Sequence, residues 1–126
     1  EAIFDAVGVA CRVDSEAQID AVTAVSGSGP AYYFLVMEVM QKVGQELGLS
    51  EQTARQLTIQ TALGAAQMAS SGSLDTTQLR QQVTSPGGTT HAAIETFKAG
   101  GIEDSFRQAM QAALNRAEEM SKEFSN

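Results

Sequence analysis

The chain has no tryptophan, one cysteine, one histidine and two prolines among its 126 residues, and each scarcity closes off a class of protein. Cys11 alone cannot form an internal disulfide, so stability must come from packing, and its solitude fits a reducing compartment. No His, Cys, Asp and Glu stand together at the spacing of a metal site. Eight Lys and Arg face fifteen Asp and Glu, for a net charge of -7, and the cations stand singly from Arg12 to Lys122. Without several cations on one surface, neither nucleic acid nor an anionic membrane is an expected partner. No apolar run approaches the roughly eighteen residues that span a bilayer, and no signal peptide is visible. A cytoplasmic protein is the expectation.

What is abundant is Ala, Leu, Gln and Met. Hydrophobic residues make up 43% of the chain but aromatics only 6%, a helical composition. Asp14 or Ser15 caps a predicted first helix to about Val25, with Ile19, Val22 and Val25 on one face. The turn Ser26-Gly27-Ser28-Gly29 stops it, and Pro30 takes the favoured first position of a second helix, where its missing N–H costs nothing. That helix is apolar nearly all round, from Tyr32 to Leu47, so it is expected at a bundle centre or a subunit interface. Gly48 ends it and Ser50 caps a third helix to about Ala69, rich in small residues such as Ala62, Gly64 and Ala66. Ser70 to Ser73 reads as a loop, and Asp75 caps a short helix that Pro86 prevents from continuing. Another short helix runs from Thr89 or Thr90 to Lys98. After Gly100-Gly101 a long last helix spans Ile102 to Phe124, its stripe of Phe106, Met110, Ala113, Leu114, Ala117 and Met120 recurring at helical period.

About six helices and little strand predict an all-α helical bundle. The apolar surface of the second and last helices exceeds what so small a domain can hide, which points to a partner subunit. Before residue 14 the reading differs. EAIFDAVGVACRV looks like a helix end followed by a β-like run, with Val7, Val9 and Val13 suited to a strand that has nothing to pair with. Residues 1–13 are therefore expected to be the remnant of an upstream domain, and 14–126 the helical domain.

Chemistry concentrates in Val83-Thr84-Ser85-Pro86-Gly87-Gly88-Thr89-Thr90. Paired glycines and four hydroxyl residues meet there at a predicted helix N-terminus, whose free N–H groups and positive dipole end can hold a small anion, a phosphate or a carboxylate, without a basic side chain. The bland reading of the same run is a tight turn between two short helices. Gly27-Ser28-Gly29-Pro30-Ala31-Tyr32 imitates a dinucleotide fingerprint, but Tyr32 stands where a small residue belongs, Pro30 deletes an amide and no βαβ unit follows. It reads as a helix corner or as the border of a site shared with another domain. His91, beside the first motif, more often fills a surface position than a catalytic one. Cys11 has no nearby base and reads as inert, and Glu103-Asp104 and Glu118-Glu119 read as solvated helix faces.

DAVTAVSGSGPAYYF at 20–34, ALGAAQMA at 62–69 and LRQQVTSPGGTTHAAIETF at 79–97 together closely resemble pyrroline-5-carboxylate reductase over nearly the whole chain. The resemblance implies the C-terminal helical dimerisation domain of that enzyme, interlocked as a homodimer or a larger ring of dimers, with the N-terminal nucleotide-binding Rossmann domain missing apart from residues 1–13. It implies reduction of 1-pyrroline-5-carboxylate to L-proline with NADPH or NADH. Thr90 would be the catalytic residue near the ring nitrogen, and Val83, Ser85, Gly87, Gly88, Thr89 and Thr90 the substrate-binding set, with the carboxylate on the backbone amides around Gly87, Gly88 and Thr89. Ser28, Gly29 and Pro30 would border the nicotinamide, and the two motifs would meet across the dimer. Without the nucleotide-binding domain, this chain alone is expected to bind no cofactor and to be inactive. The competing expectation is a non-enzymatic helical dimerisation or interaction module whose Pro-Gly-Gly turn is structural.

Overall fold

Serine and aspartate caps, glycine stops and one π turn set the helix boundaries in this computed structural model, which describes residues 8–125. Among the described residues six α-helices follow one another: α1 Glu16–Val22, α2 Gly29–Glu46, α3 Glu51–Ser71, α4 Thr76–Gln82, α5 Thr89–Ala99 and α6 Ile102–Ser125. No strand is present among the described residues, so the expected all-helical class holds. Of the expected β-like run, Val9 and Val13 lie in irregular backbone, and Val7 lies outside the described residues.

The caps are local chemistry. Ser15 Oγ accepts the Gln18 N–H of α1, and Ser50 Oγ accepts the Thr53 N–H of α3. Asp75 and Gln78 form a reciprocal capping box at α4. Each satisfies a first-turn donor that would otherwise lack a partner. Gly48, at φ +105°, closes α2 with the Leu49 N–H on the Gly44 carbonyl and the Gly48 N–H on the Gln45 carbonyl. That paired closure needs a left-handed residue, which glycine supplies.

Three boundaries differ from those predicted. The first helix does not stop at Ser26; it widens into a π turn over Thr23–Gly27, in which the Ser28 N–H reaches back five residues to the Thr23 carbonyl at 2.8 Å. Gly29, not Pro30, then begins α2, and Pro30 sits second, still within the turn where its missing donor goes unneeded. The third helix also runs on to Ser71, because the Ser70 and Ser71 hydroxyls both donate to the Gln67 carbonyl.

The chain forms two compact units, Pro30–Arg107 and the described residues before and after it. Within Pro30–Arg107, α2 and α3 approach each other at Gly44, where an added Cβ would stand 3.4 Å from the Ala54 Cβ. Ala54 and Thr58, one turn apart on α3, are buried there. In the other unit Ala24 and Gly29 are buried. Beyond these small residues, no large side chain is fully buried among the described residues. Tyr33, Phe34 and Leu35 of α2 are 69%, 66% and 60% exposed, so the apolar helix has its face bare in the single chain. The polar side of α6 carries Arg107 with Glu103 and Asp104, and Arg116 with Glu119 and Glu123. These exposed pairs contribute little individually, and Glu119, then Glu123, raise the Arg116 pKa further above its usual value. Among the described residues no helix is long and apolar enough to cross a membrane.

Candidate functional site

The segment between α4 and α5 is pinned at both ends. At the end of α4 the Arg80 carbonyl accepts the Val83 N–H at 3.3 Å and the Thr84 hydroxyl at 2.5 Å, while the Thr84 N–H reaches the Gln81 carbonyl. At the start of α5 the Gly88 N–H donates to the Ser85 carbonyl at 3.0 Å. Between them Pro86 favours the first corner of a turn, and Gly87 at φ +72° supplies the left-handed second corner, so Ser85 to Gly88 is a type II turn. A side chain at position 87 would be strained by that φ alone.

Gly88 then serves as the N-cap of α5, and its carbonyl accepts the first helical bond from the Ala92 N–H. Having no side chain, it makes no cap hydrogen bond. The first three helical amides, those of Thr89, Thr90 and His91, therefore have no carbonyl one turn back and no capping oxygen. At α1, α3 and α4 a Ser or Asp oxygen occupies the equivalent place. A glycine cap leaves donors and dipole open to an outside anion, which a serine or aspartate cap would fill with its own oxygen.

Ser85 overhangs this opening. A Cβ on Gly88 would stand 2.5 Å from Ser85 Oγ and 3.2 Å from the Ser85 carbonyl oxygen, so a side chain at 88 would have to turn the Ser85 hydroxyl aside and crowd its carbonyl. Thr90 is half-buried, Thr89, Ser85 and Gly87 are exposed, and Val83 is 62% exposed. The structure thus brings Val83, Ser85, Gly87, Gly88, Thr89 and Thr90 onto one turn and helix start. Within it the Gly88 amide is committed to the turn, which shifts the open donors toward Thr89, Thr90 and His91. The His91 side chain is exposed. A cleft of about 550 Å³ lies toward the far end of α5, lined by Arg80, Ile94, Phe97, Gly101 and Ile102 among others, and none of the expected site residues lines it.

Thr84 is the residue that sequence reasoning passed over. Counted there only as one more hydroxyl, it spends that hydroxyl on the carbonyl four residues back, a habit of Thr near helix ends that the Arg80-to-Thr84 spacing permits.

Ser28, Gly29 and Pro30 follow the π turn. Ser28 is half-buried, its N–H held by the Thr23 carbonyl. Gly29 is buried, yet nothing lies within 4 Å of where its Cβ would be. Its φ is not left-handed, but it is a helical residue immediately before Pro30, where a Cβ would crowd the proline ring, so the chain itself favours glycine there. Pro30 is exposed. No group of three or more His, Cys, Asp and Glu among the described residues could hold a metal ion.

A family model described as pyrroline-5-carboxylate reductase dimerisation matches residues 16–120, which include both motifs. The chain belongs to this pyrroline-5-carboxylate reductase dimerisation family. The pyrroline-5-carboxylate reductase of Pseudomonas aeruginosa is 56% identical over 121 residues, covering 96% of this chain and 44% of the relative. That of Haemophilus influenzae is 46% identical, covering 94% of this chain and 44% of its own length. Among solved structures, the Coxiella burnetii pyrroline-5-carboxylate reductase superposes with a TM-score of 0.90 at 51% identity, covering 94% of this chain and 44% of that one. The Plasmodium falciparum pyrroline carboxylate reductase, crystallised with NADP bound, superposes at 0.84 and 29% identity, covering 94% and 45%. The chain therefore spans less than half the length of the pyrroline-5-carboxylate reductases it matches.

Proposed function

We propose that this chain is the helical C-terminal part, residues 14–126, of an NAD(P)H-dependent pyrroline-5-carboxylate reductase, preceded at residues 1–13 by the end of its nucleotide-binding domain. The observation that carries the site assignment is the open, glycine-capped start of α5. In this reading the substrate carboxylate sits on the Thr89, Thr90 and His91 amides, with Gly87 and Gly88 giving it close approach. Dipole and amides together orient a carboxylate, typically by a few tenths to about 2 kcal/mol, so other groups must complete the pocket. Val83 and Ser85 border it. The Thr90 hydroxyl, with no hydrogen-bond partner among the described residues, holds the ring nitrogen in line and passes it a proton. NADPH or NADH, when bound, supplies the hydride for the imine carbon. With that hydride and the proton the C=N bond becomes the C–N bond of proline. Open space over Gly29 beside Ser28 and Pro30 fits the nicotinamide edge, and the phosphates fall to the other domain.

A second copy completes the fold in this reading. The bare apolar face of α2, where Phe34 is 66% and Leu35 60% exposed, supports it, because such a face marks a subunit interface. We place the homodimer, or a ring of such dimers, in the cytoplasm.

Two experiments test the proposal. The chain alone, given pyrroline-5-carboxylate and NADPH, is expected to show no turnover, and a fused reductase made by placing it behind the nucleotide-binding half of the Pseudomonas aeruginosa relative is expected to turn over. In the fused reductase Thr90→Val is expected to lower kcat by about 100-fold, at the low end for a lost proton-transfer group. Proline titrated into the chain is expected to shift amide resonances from Gly87 to His91. The turn geometry alone also accounts for Gly87 and Gly88, which favours the second reading, a non-enzymatic dimerisation module; an inactive fused reductase and an unresponsive loop would establish it.

A further inference from the structure

We propose that Thr84 is a positioning residue for the substrate loop, acting through the hydrogen bond from its hydroxyl to the Arg80 carbonyl. The inference rests on the reductase reading and adds to it a residue that never touches substrate.

The geometry is a clasp. The Arg80 carbonyl belongs to the last turn of α4, where helical acceptors run out of donors. It receives two, the Val83 N–H at 3.3 Å and the Thr84 hydroxyl at 2.5 Å. Thr84 is half-buried, which shields its bond from water more than an exposed one. The next residue, Ser85, begins the turn, and its carbonyl carries the Gly88 N–H. Pro86 has no N–H to contribute. From Thr84 to Gly88 the Thr84 side chain is the one side chain that ties the segment to α4 among the described residues. The opposite end is tied by backbone alone, the Ala92 N–H on the Gly88 carbonyl.

Removing the hydroxyl leaves the Arg80 carbonyl its Val83 partner, so α4 need not unfold. What is lost is one of the two bonds that fix the entry of the loop; the Thr84 N–H keeps the Gln81 carbonyl at 3.1 Å, but nothing then holds the side chain. Displacements of about 1 Å in groups that orient a substrate can lower rates up to about 100-fold, so a small shift here matters most to the carboxylate held on Thr89, Thr90 and His91. The nicotinamide corner at Ser28 and Gly29 is built by the separate Thr23 bond and should not respond. The clasp therefore affects one substrate and not the other.

The test uses the fused reductase with Thr84→Val, which keeps the shape and removes the hydroxyl, and Thr84→Ser, which keeps the hydroxyl. In Thr84→Val, KM for pyrroline-5-carboxylate is expected to rise about tenfold while KM for NADPH stays within twofold, and Thr84→Ser is expected to restore the parent values. Helical circular dichroism and sedimentation of both variants should match the parent. Parent-like kinetics in Thr84→Val overturn the inference, as does an equal rise in both KM values or a failure of serine to rescue. A parent fusion without turnover instead overturns the reductase reading, and this inference falls with it.

Discussion

The Ser85 carbonyl accepts the Gly88 N–H at 3.0 Å, and the Ser85 hydroxyl occupies the space a Gly88 side chain would need, 2.5 Å from its ideal Cβ. The two residues therefore specify each other. Gly88 allows Ser85 to fold over the turn, and the same missing side chain leaves the start of α5 uncapped. A steric requirement and an uncapped helix start thus come from one glycine.

Gly88→Ala should reveal that coupling. The added methyl group must displace the Ser85 hydroxyl or the backbone, an overpacking cost of about 1–3 kcal/mol. In a Ser85→Ala background the hydroxyl is gone and only the carbonyl at 3.2 Å remains, so the loss should shrink. Urea unfolding of both single variants and the double variant, at one protein concentration, measures this. A coupling energy of at least about 0.5 kcal/mol is expected; strictly additive losses would show that the two residues do not compete for space.

Gly87 makes a different demand, because its φ of +72° is costly for a side chain whatever the room around it. Gly87→Ala should lower stability by about 1–2 kcal/mol. Gly87→Asn should cost less, since asparagine tolerates the left-handed region better than alanine does. An alanine variant as stable as the asparagine one would mean the turn can adopt another form.

Much of this was legible in the sequence where a residue type carries its own geometry. Ser50 and Asp75 announce helix starts because a Ser or Asp oxygen accepts a first-turn amide that has no carbonyl one turn back. Pro86-Gly87 announces a turn for an equally local reason. The π turn was not legible, since Ser26 and Gly27 look like a stop. In the structure the Thr23 and Ser26 hydroxyls bond back to the Ile19 and Val22 carbonyls, and the chain coils on with a wider register that leaves no period to read. The extra length of α3 escaped notice similarly, through serines that bond back to Gln67. The apolar face of α2 was visible from its pattern, but periodicity identifies a face and not what covers it. For the site, the open cap was anticipated from paired glycines before a helix. Which amides stay open was not, because that depends on the Ser85 to Gly88 bond.

Phe34→Asp tests what covers α2. In the single chain Phe34 is 66% exposed, and a carboxylate there would be nearly neutral for an isolated protomer. If a second copy packs on this face, the charge is buried without a partner. Self-association should then weaken by about 2–4 kcal/mol, roughly 30- to 1,000-fold in Kd. Sedimentation velocity across a dilution series reads this directly, and an unchanged dimer would exclude Phe34 from the interface.

Gly29→Ala separates folding from function by which substrate responds. Nothing beyond its chain neighbours lies within 4 Å of the added methyl group, and the backbone there is not left-handed. The next residue is Pro30, however, and a Cβ on a helical residue before proline crowds the proline ring. The variant should therefore lose some stability, which thermal unfolding of the chain can measure. In the fused reductase the same methyl group enters the space assigned to the nicotinamide edge. There KM for NADPH should rise about tenfold, roughly 1.4 kcal/mol, with KM for pyrroline-5-carboxylate little changed. A selective rise for the cofactor would mark Gly29 as kept for the ligand as well as for the proline that follows it. Unchanged kinetics would return Ser28-Gly29-Pro30 to a plain helix corner.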